Sequence, residues 1–447
     1  MERHNEIILA TVVQPQQARE ALYAERSVWT PSMLDRLAKS EEGTKWFRLF
    51  DKVYGDKNLR TSAAKVINNK GGKGIDGQTT TQFEEKLEEE ISWLQSELRD
   101  GKYDPEPSRR VEIPKPGSKE KRPLGIQTVR DRVVQTALRN VIEPIFEHEF
   151  AEHSYGFRRG LGAKDALRRV EQLLHRGNLW VVDADLRKFF DTIPQDLIMS
   201  RLGEKIVDGS VLTLIKRFLQ AGIMDAFEGW VATEEGTPQG AVISPLLANI
   251  VLNPLDHLIA SAGFEMTRYA DDFVILCRTE EQAEQALNKV RSWCQRQGLE
   301  LHETKTRIIN LNQTGRFDFL GYAFVRKDNG QLKKWFRRKS EAKLKASIRA
   351  KTGRLRPGSM EQIIADINPI IRGWWAYFRW SAKAALADVD GWIRHRLRSI
   401  QRKRWKRKGI CKGRENAEIP NSKFREAGLF CMAEARLQWI QSLAGTH

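Results

Sequence analysis

Cysteine is scarce in this 447-residue sequence: Cys277, Cys294, Cys411 and Cys431 are the only four, and none forms a Cys-x-x-Cys pair. That spacing indicates neither a zinc site nor a disulfide framework, and it fits a reducing compartment such as a bacterial cytoplasm or nucleoid, with an organelle left open. Long apolar runs are missing as well. No segment approaches the roughly 20 residues that a membrane span needs, so no membrane partner is expected. The apolar run Ile7-Ile8-Leu9-Ala10 is too short for secretion, and its acidic neighbourhood is wrong for a transit peptide. Acidic residues are in deficit, 58 against 75 Lys and Arg, for a formal charge of +17. The imbalance is local: Gln331 to Arg414 carries 25 Lys and Arg against 5 Asp and Glu, leaving the remainder slightly acidic. Cations concentrated in one region indicate a polyanion partner. The same region holds Trp335, Trp374, Trp375, Trp380, Trp392 and Trp405. Such residues stack on bases or fill a helical core, and core is the role expected here.

Two acidic motifs stand out against this background. Tyr269-Ala270-Asp271-Asp272 lies between Met266-Thr267-Arg268 and Phe273-Val274-Ile275-Leu276-Cys277, which places two adjacent carboxylates at the tip of an expected β-hairpin. Packing gives no reason for like charges there. A hard divalent cation does, because it takes carboxylate oxygens and removes the repulsion; a solvated Asp-Asp turn is the alternative. The second motif, Trp180-Val181-Val182-Asp183-Ala184-Asp185, begins as a buried strand and ends in carboxylates, followed by Phe189-Phe190-Asp191. A doublet plus a distant single Asp, each leaving an apolar strand, is a minimal ligand set for two-metal phosphoryl transfer.

These motifs sit within a longer collinear series. It runs from Asn69-Lys70-Gly71-Gly72-Lys73-Gly74-Ile75-Asp76-Gly77 through Ile113-Pro114-Lys115-Pro116, Arg122-Pro123-Leu124-Gly125-Ile126 and Ser154-Tyr155-Gly156-Phe157-Arg158. It continues with Gly236-Thr237-Pro238-Gln239-Gly240, Ser244-Pro245-Leu246-Leu247-Ala248-Asn249-Ile250, Gly298-Leu299-Glu300-Leu301-His302-Glu303-Thr304-Lys305-Thr306, Phe319-Leu320-Gly321-Tyr322 and Gly373-Trp374-Trp375-Ala376-Tyr377-Phe378. In this order the blocks closely resemble the group II intron-encoded reverse transcriptases and maturases, over about Gly55 to Lys408. The resemblance implies an α+β right-hand polymerase fold of fingers, palm and helical thumb. Residues 1–54 would be a polar helical extension, 55–180 the fingers, 181–328 the palm, 329–410 the thumb or maturase domain, and 411–447 a short tail, a remnant of a DNA-binding segment at most. Helices are expected over Ser32 to Phe50, Thr81 to Asp100 and Asp131 to Phe146, and in the basic region over Ser340 to Lys351, Ser359 to Arg379 and Ala385 to Lys408.

The resemblance also assigns roles. Asp185 and Asp271 would bind two Mg²⁺ ions, with Asp272 completing the site and Mn²⁺ as a substitute. Asp185 is preferred to Asp183 because Phe190 follows it at the family's spacing, leaving Asp183 to pair with a neighbouring basic group. Phe190 would exclude a 2′-hydroxyl, or else be a core residue beside Phe189. Lys115 and Arg122 would hold the triphosphate, Gln239 and Gly240 the nascent base pair, and Lys305 the leaving pyrophosphate. Tyr269 and Ala270 would border the primer terminus, and Gly71, Gly72, Lys73 and Gly74 the template. The implied activity is RNA-directed DNA polymerisation from dNTPs on an RNA template and DNA primer. The implied partners are a structured intron RNA, whose splicing and mobility it assists, and a DNA target. A host-adopted reverse transcriptase and a splicing-only maturase stay open, as does the oligomeric state. Many relatives append a zinc-supported HNH nuclease; residues 411–447 lack its paired cysteines, so no endonuclease is expected.

Overall fold

The computed structural model describes residues 25–26, 28–41, 43–114, 121–225, 227–312, 315–407 and 418–444. They divide into two compact units, one holding the described residues through Ile308 and the other those from Ile309 onward.

The first unit opens with α1 (Pro31–Ala38), capped by the Thr30 side chain, and the single turn α2 (Phe50–Val53). The helix expected over Ser32 to Phe50 therefore ends at Ala38, and α2 starts only where that span was expected to finish. The middle of the span is taken by a longer-range partner: Trp46 donates its N–H to Lys205 and accepts from Val207, and the Asp208 carboxylate accepts from Leu49 N and Phe50 N at 2.7 and 3.0 Å. α3 (Asp56–Asn68) follows, and a break at Lys86 splits the helix expected over Thr81 to Asp100 into α4 (Thr80–Glu85) and α5 (Leu87–Arg99). Next come the hairpin β1 (Ser108–Pro114) and β2 (Lys121–Ile126), then α6 (Val129–Glu147), which covers the expected helix from Asp131 to Phe146. α6 is buried on nearly every side, as befits a helix whose apolar residues do not keep to one face.

α7 (Ala163–His175) leads into β3 (Trp180–Asp185), the short α8 (Phe189–Thr192), α9 (Gln195–Gly203) and α10 (Gly209–Gln220). A small hairpin, β4 (Ile223–Asp225) and β5 (Gly229–Val231), precedes α11 (Ser244–Ser261), which Pro245 opens in its first turn. The hairpin β6 (Glu265–Tyr269) and β7 (Asp272–Cys277) and the helix α12 (Glu280–Arg296) complete the unit. Two four-stranded sheets result, ordered β2-β1-β4-β5 and β6-β7-β3-β8, where β8 is Arg307–Asn310. Leader, fingers and palm, expected as three segments, share one hydrophobic core in which Trp29, Leu59, Val141, Val182 and Phe273 are all buried.

The second unit contains a three-stranded sheet ordered β11-β10-β9, from β9 (Arg316–Phe319), β10 (Tyr322–Arg326) and β11 (Leu332–Phe336). The palm was expected to run to 328, twenty residues beyond the boundary between the units. β9 and β10 belong with the helices because their rings pack there: Tyr322 donates its hydroxyl to Tyr377 O at 2.6 Å and meets the Phe378 ring at 5.2 Å, while Phe317 of β9 stacks on Phe324 of β10 at 5.0 Å. The three helices expected in the basic region are α13 (Arg338–Lys351), α14 (Met360–Phe378) and α15 (Lys383–Arg404), and the basic residues fall on α13 and α15, since α14 holds only Arg372 against Glu361 and Asp366. Ile363, Ile364, Ile367 and Ile371 give α14 its buried stripe, and Ser359 with Gln362 forms its capping box. The region read as a tail adds α16 (Asn421–Glu426) and α17 (Met432–Ala444), and α17 packs on α14 and α15. None of the six tryptophans is fully buried, and Trp405 is exposed. They line the bundle rather than fill it, several under cations, such as Lys334 over Trp380 and Arg379 over Trp375. No helix among the described residues is long and apolar enough to cross a membrane.

Candidate active site

The β6–β7 hairpin pairs Tyr269 with Asp272, so Ala270 and Asp271 form a two-residue turn, with Ala270 left-handed at φ 60°. Three elements force that turn into shape. A Cβ on Gly156 would lie 2.2 Å from Ala270 N, so only glycine admits the approach. The Arg268 guanidinium, wholly buried, donates to Ala270 O and to Asn249 Oδ1, both at 2.9 Å, and forms an ion pair with Asp256. Asn249 in turn donates to Gly156 O at 2.8 Å. Removing one partner of such a buried ion pair leaves an uncompensated charge and costs about 3–5 kcal/mol. Arg268, Asp256, Asn249 and Gly156 carry no role in the sequence reading. Arg268 stands two residues before the turn, yet its partners lie on α11 and before α7.

β3 pairs antiparallel with β7 and sets Asp185 directly opposite Asp272. Residues facing each other in this way project to the same side of the sheet. The two carboxylates are offset by a cation. Lys305 donates from Nζ to Asp185 Oδ2, and its loop is zipped to the end of β3: His302 N donates to Asp185 O and Arg187 N to Glu300 O, both at 2.8 Å. Asp183 forms an ion pair with Arg307 at 3.3 Å, the basic neighbour expected for it. Asp185 and Asp272 offer hard oxygen donors on one face with Asp271 next in the chain, a donor chemistry that suits a divalent cation. As they stand, with Lys305 on Asp185, no three His, Cys, Asp or Glu side chains among the described residues are grouped to hold a metal ion. Burial pushes the thiols of Cys277 and Cys294 up to about 11 and about 12, which leaves neither as a nucleophile.

Phe190 is half-buried, unlike the buried Phe189, and its ring stands 5.7 Å from Phe189 and 6.5 Å from Phe157. The loop before α11 is fastened beside it. Thr237 N donates to Phe190 O at 2.8 Å, Gln239 Nε2 to Asp191 Oδ1 at 2.7 Å, and a Cβ on Gly236 would strike Asp191 O at 2.6 Å. Gly240, at φ 104°, passes so close to β2 that a Cβ would meet Gly125 O at 2.8 Å, while Gly125 N donates to Gln239 O. Thus the Gln239–Gly240 loop joins β2 to the Phe190 turn. On the β1–β2 hairpin Arg122 lies opposite Ile113 in register; its side chain, and Lys115 entirely, fall outside the described residues. Gly71 to Gly74 form no free linker: Arg132 donates to Gly72 O and Arg109 to Lys73 O, both at 2.8 Å, and Gly74 abuts Thr128 at the start of α6. They pack on that corner. Tyr269 is half-buried beside Asp272.

Comparison with known proteins places this geometry. Residues 113–324 match the family described as reverse transcriptase (RNA-dependent DNA polymerase), and residues 341–417 match the group II intron maturase-specific domain. The chain is 34% identical over 310 residues to protein YkfC of Escherichia coli (strain K12), covering 60% of this chain and 80% of YkfC. It is also 34% identical over 244 residues to the group II intron-encoded protein LtrA of Lactococcus lactis subsp. cremoris, covering 54% of this chain but 40% of LtrA. Among solved structures, telomerase from Candida albicans matches with a TM-score of 0.39 at 13% identity, covering 72% of this chain and 64% of that one. A partial Cas6-RT-Cas1–Cas2 complex matches at 0.35 and 24% identity, covering 55% and 42%. Scores this low add nothing to the family matches. Carboxylates at paired strand ends, within a segment matching an RNA-dependent DNA polymerase, define the class: the protein is a reverse transcriptase, a family that works with divalent metal ions. With the maturase-specific domain following it, the chain belongs to the group II intron reverse transcriptase and maturase family.

Proposed function

We propose that this reverse transcriptase copies RNA, including a structured group II intron RNA, into DNA at Asp185, Asp271 and Asp272. In this reading its basic helical unit binds the intron and assists splicing and mobility at a DNA target. The observation that carries it is the register of Asp185 with Asp272 at the end of a turn fixed by Arg268 and Gly156. Two Mg²⁺ ions bound there, with Mn²⁺ as substitute, would supply the Lewis acidity that activates a primer 3′-hydroxyl and stabilises pyrophosphate. The chain's own residues do the positioning. Asp185, Asp271 and Asp272 hold negative charge where the reacting phosphate arrives, and Lys305, already on Asp185, is placed to accompany the leaving group. Phe190 stands five residues from Asp185 to exclude a 2′-hydroxyl, and Gln239 and Gly240 support the nascent pair beside it. Arg122, with Lys115, would meet the triphosphate from the β1–β2 hairpin; Gly71 to Gly74 would border the template and Tyr269 the primer end.

Primer extension on an RNA template tests this, run with Mg²⁺, with Mn²⁺ and with chelator, beside filter binding of intron RNA. Asp271→Asn or Asp185→Ala should abolish extension and leave RNA binding within about twofold. Synthesis retained by either variant would reject the site.

A further inference from the structure

Three non-glycine residues of the site region are left-handed: Phe157 (φ 60°), Lys188 (φ 47°) and Ala270 (φ 60°). Such a backbone is rare for a bulky aromatic residue and persists only where the surroundings compel it. Burial does not repay Phe157, whose residue is 45% exposed. Its neighbours supply the compulsion. Gly156 is wedged against Ala270 and tied to Asn249, while Arg158 is buried in an ion pair with Glu147 at 2.6 Å and donates to Ser154 O and Ala151 O. Clamped on both sides, the chain projects the Phe157 ring into solvent. There it meets the half-buried Phe190 at 6.5 Å with the planes 83° apart, an edge-to-face contact. The ring is therefore set between the carboxylate turn, through Gly156, and the aromatic residue that follows Asp185.

We propose that Phe157 is a second specificity-determining residue of the polymerase site: it braces Phe190 and, with it, forms an aromatic corner against the sugar of the incoming nucleotide. This rests on the reading of Phe190 given above. A corner of two rings at right angles restricts the space at the 2′ carbon from two sides, whereas one ring restricts it from one. The strained backbone is what holds the second ring there. Sequence alone presents Phe157 only as part of a block that resembles relatives, with no reason to separate it from its neighbours.

Single-nucleotide incorporation opposite an RNA template decides the matter, with matched deoxyribo- and ribonucleotides, for the wild type and for Phe157→Ala, Phe157→Gly, Phe157→Tyr and Phe190→Ala. Phe157→Gly removes the ring while relieving the left-handed strain, so it should fold at least as well as the wild type. The expected result is that the Ala and Gly variants raise KM for the deoxynucleotide and narrow the ratio of kcat/KM values about tenfold. kcat should stay within about twofold, and Phe157→Tyr should restore both. Unchanged KM and ratio in Phe157→Gly, with altered discrimination in Phe190→Ala, would overturn this inference and leave the Phe190 reading standing. No change in either would overturn both.

Discussion

Gly156 carries more of the site than its size suggests. Its missing side chain leaves room for Ala270 N, and no residue bearing a Cβ fits without moving the turn. Gly156→Ala should therefore displace Asp271 and Asp272 and reduce primer extension by at least a hundredfold, since misplacement of reacting groups by about 1 Å costs that much. Binding of intron RNA should be unaffected, and a gel extension assay beside filter binding checks both. Arg268 works on the same atoms from the opposite direction, through Ala270 O. Two clamps on one residue, joined to each other through Asn249, give the Asp271–Asp272 turn its fixed geometry. Lys305 and Phe190 depend on their own anchors, the His302 and Thr237 hydrogen bonds, so each functional side chain is set by a backbone contact to a different element.

Helix ends concentrate testable energy at the level of elements. α6 begins at Thr128, whose hydroxyl donates to the Asp131 carboxylate at 2.6 Å and accepts from Asp131 N, while Tyr103 donates to the same carboxylate at 2.7 Å. Burial outweighs these bonds and raises the Asp131 carboxyl to about 6. Its folded pKa lies above the unfolded value near 3.8, so the neutral acid is favoured in the folded state. Below pH 4 the group costs nothing; as pH rises from about 4 to about 6 stability falls, by on the order of 3 kcal/mol, and then levels off. Asp131→Asn keeps an acceptor for Tyr103 and removes the titration, so its stability relative to the wild type should rise through that window. Chemical denaturation between pH 4 and 8 measures the difference. In the helical unit, Asp390 of α15 caps α17, accepting from Met432 N at 3.1 Å and Ala433 N at 2.9 Å. Asp390→Ala should cost about 1–2 kcal/mol and speed hydrogen exchange over 432–444, while exchange in α14 changes little.

Charge acts at the scale of the whole molecule. The basic excess lies within Gln331 to Arg414, and Lys339, Lys343 and Lys351 of α13 are exposed. Each phosphate they neutralise releases counterions, so replacing all three by Ala should make the dependence of RNA affinity on salt shallower by about 2 in log–log slope. Filter binding across a potassium chloride series reads that slope. Deoxynucleotide incorporation measured at saturating template should be unchanged. A parallel fall in kcat would assign these lysines to the chemistry instead.

Much was settled by local pattern. The alternation and apolar runs around Asp183 to Asp185 and Asp271–Asp272 fix two strand ends bearing carboxylates, because side-chain period and propensity act within a few residues. The helices α13 to α15 were legible for the same reason. Where sequence and structure part, a distant partner decided. Residues 205–208 capture Trp46 and Leu49 and break a helix that local propensity favours; β9 and β10 join the helical unit through Tyr322 and Tyr377; and α17 docks through Asp390. The pairing of Asp185 with Asp272, the clamp of Gly156 and Arg268 on Ala270, and the exposed ring of Phe157 belong to the same class. Each depends on backbone brought together from remote stretches of chain, and no periodicity within one stretch encodes which remote group will arrive.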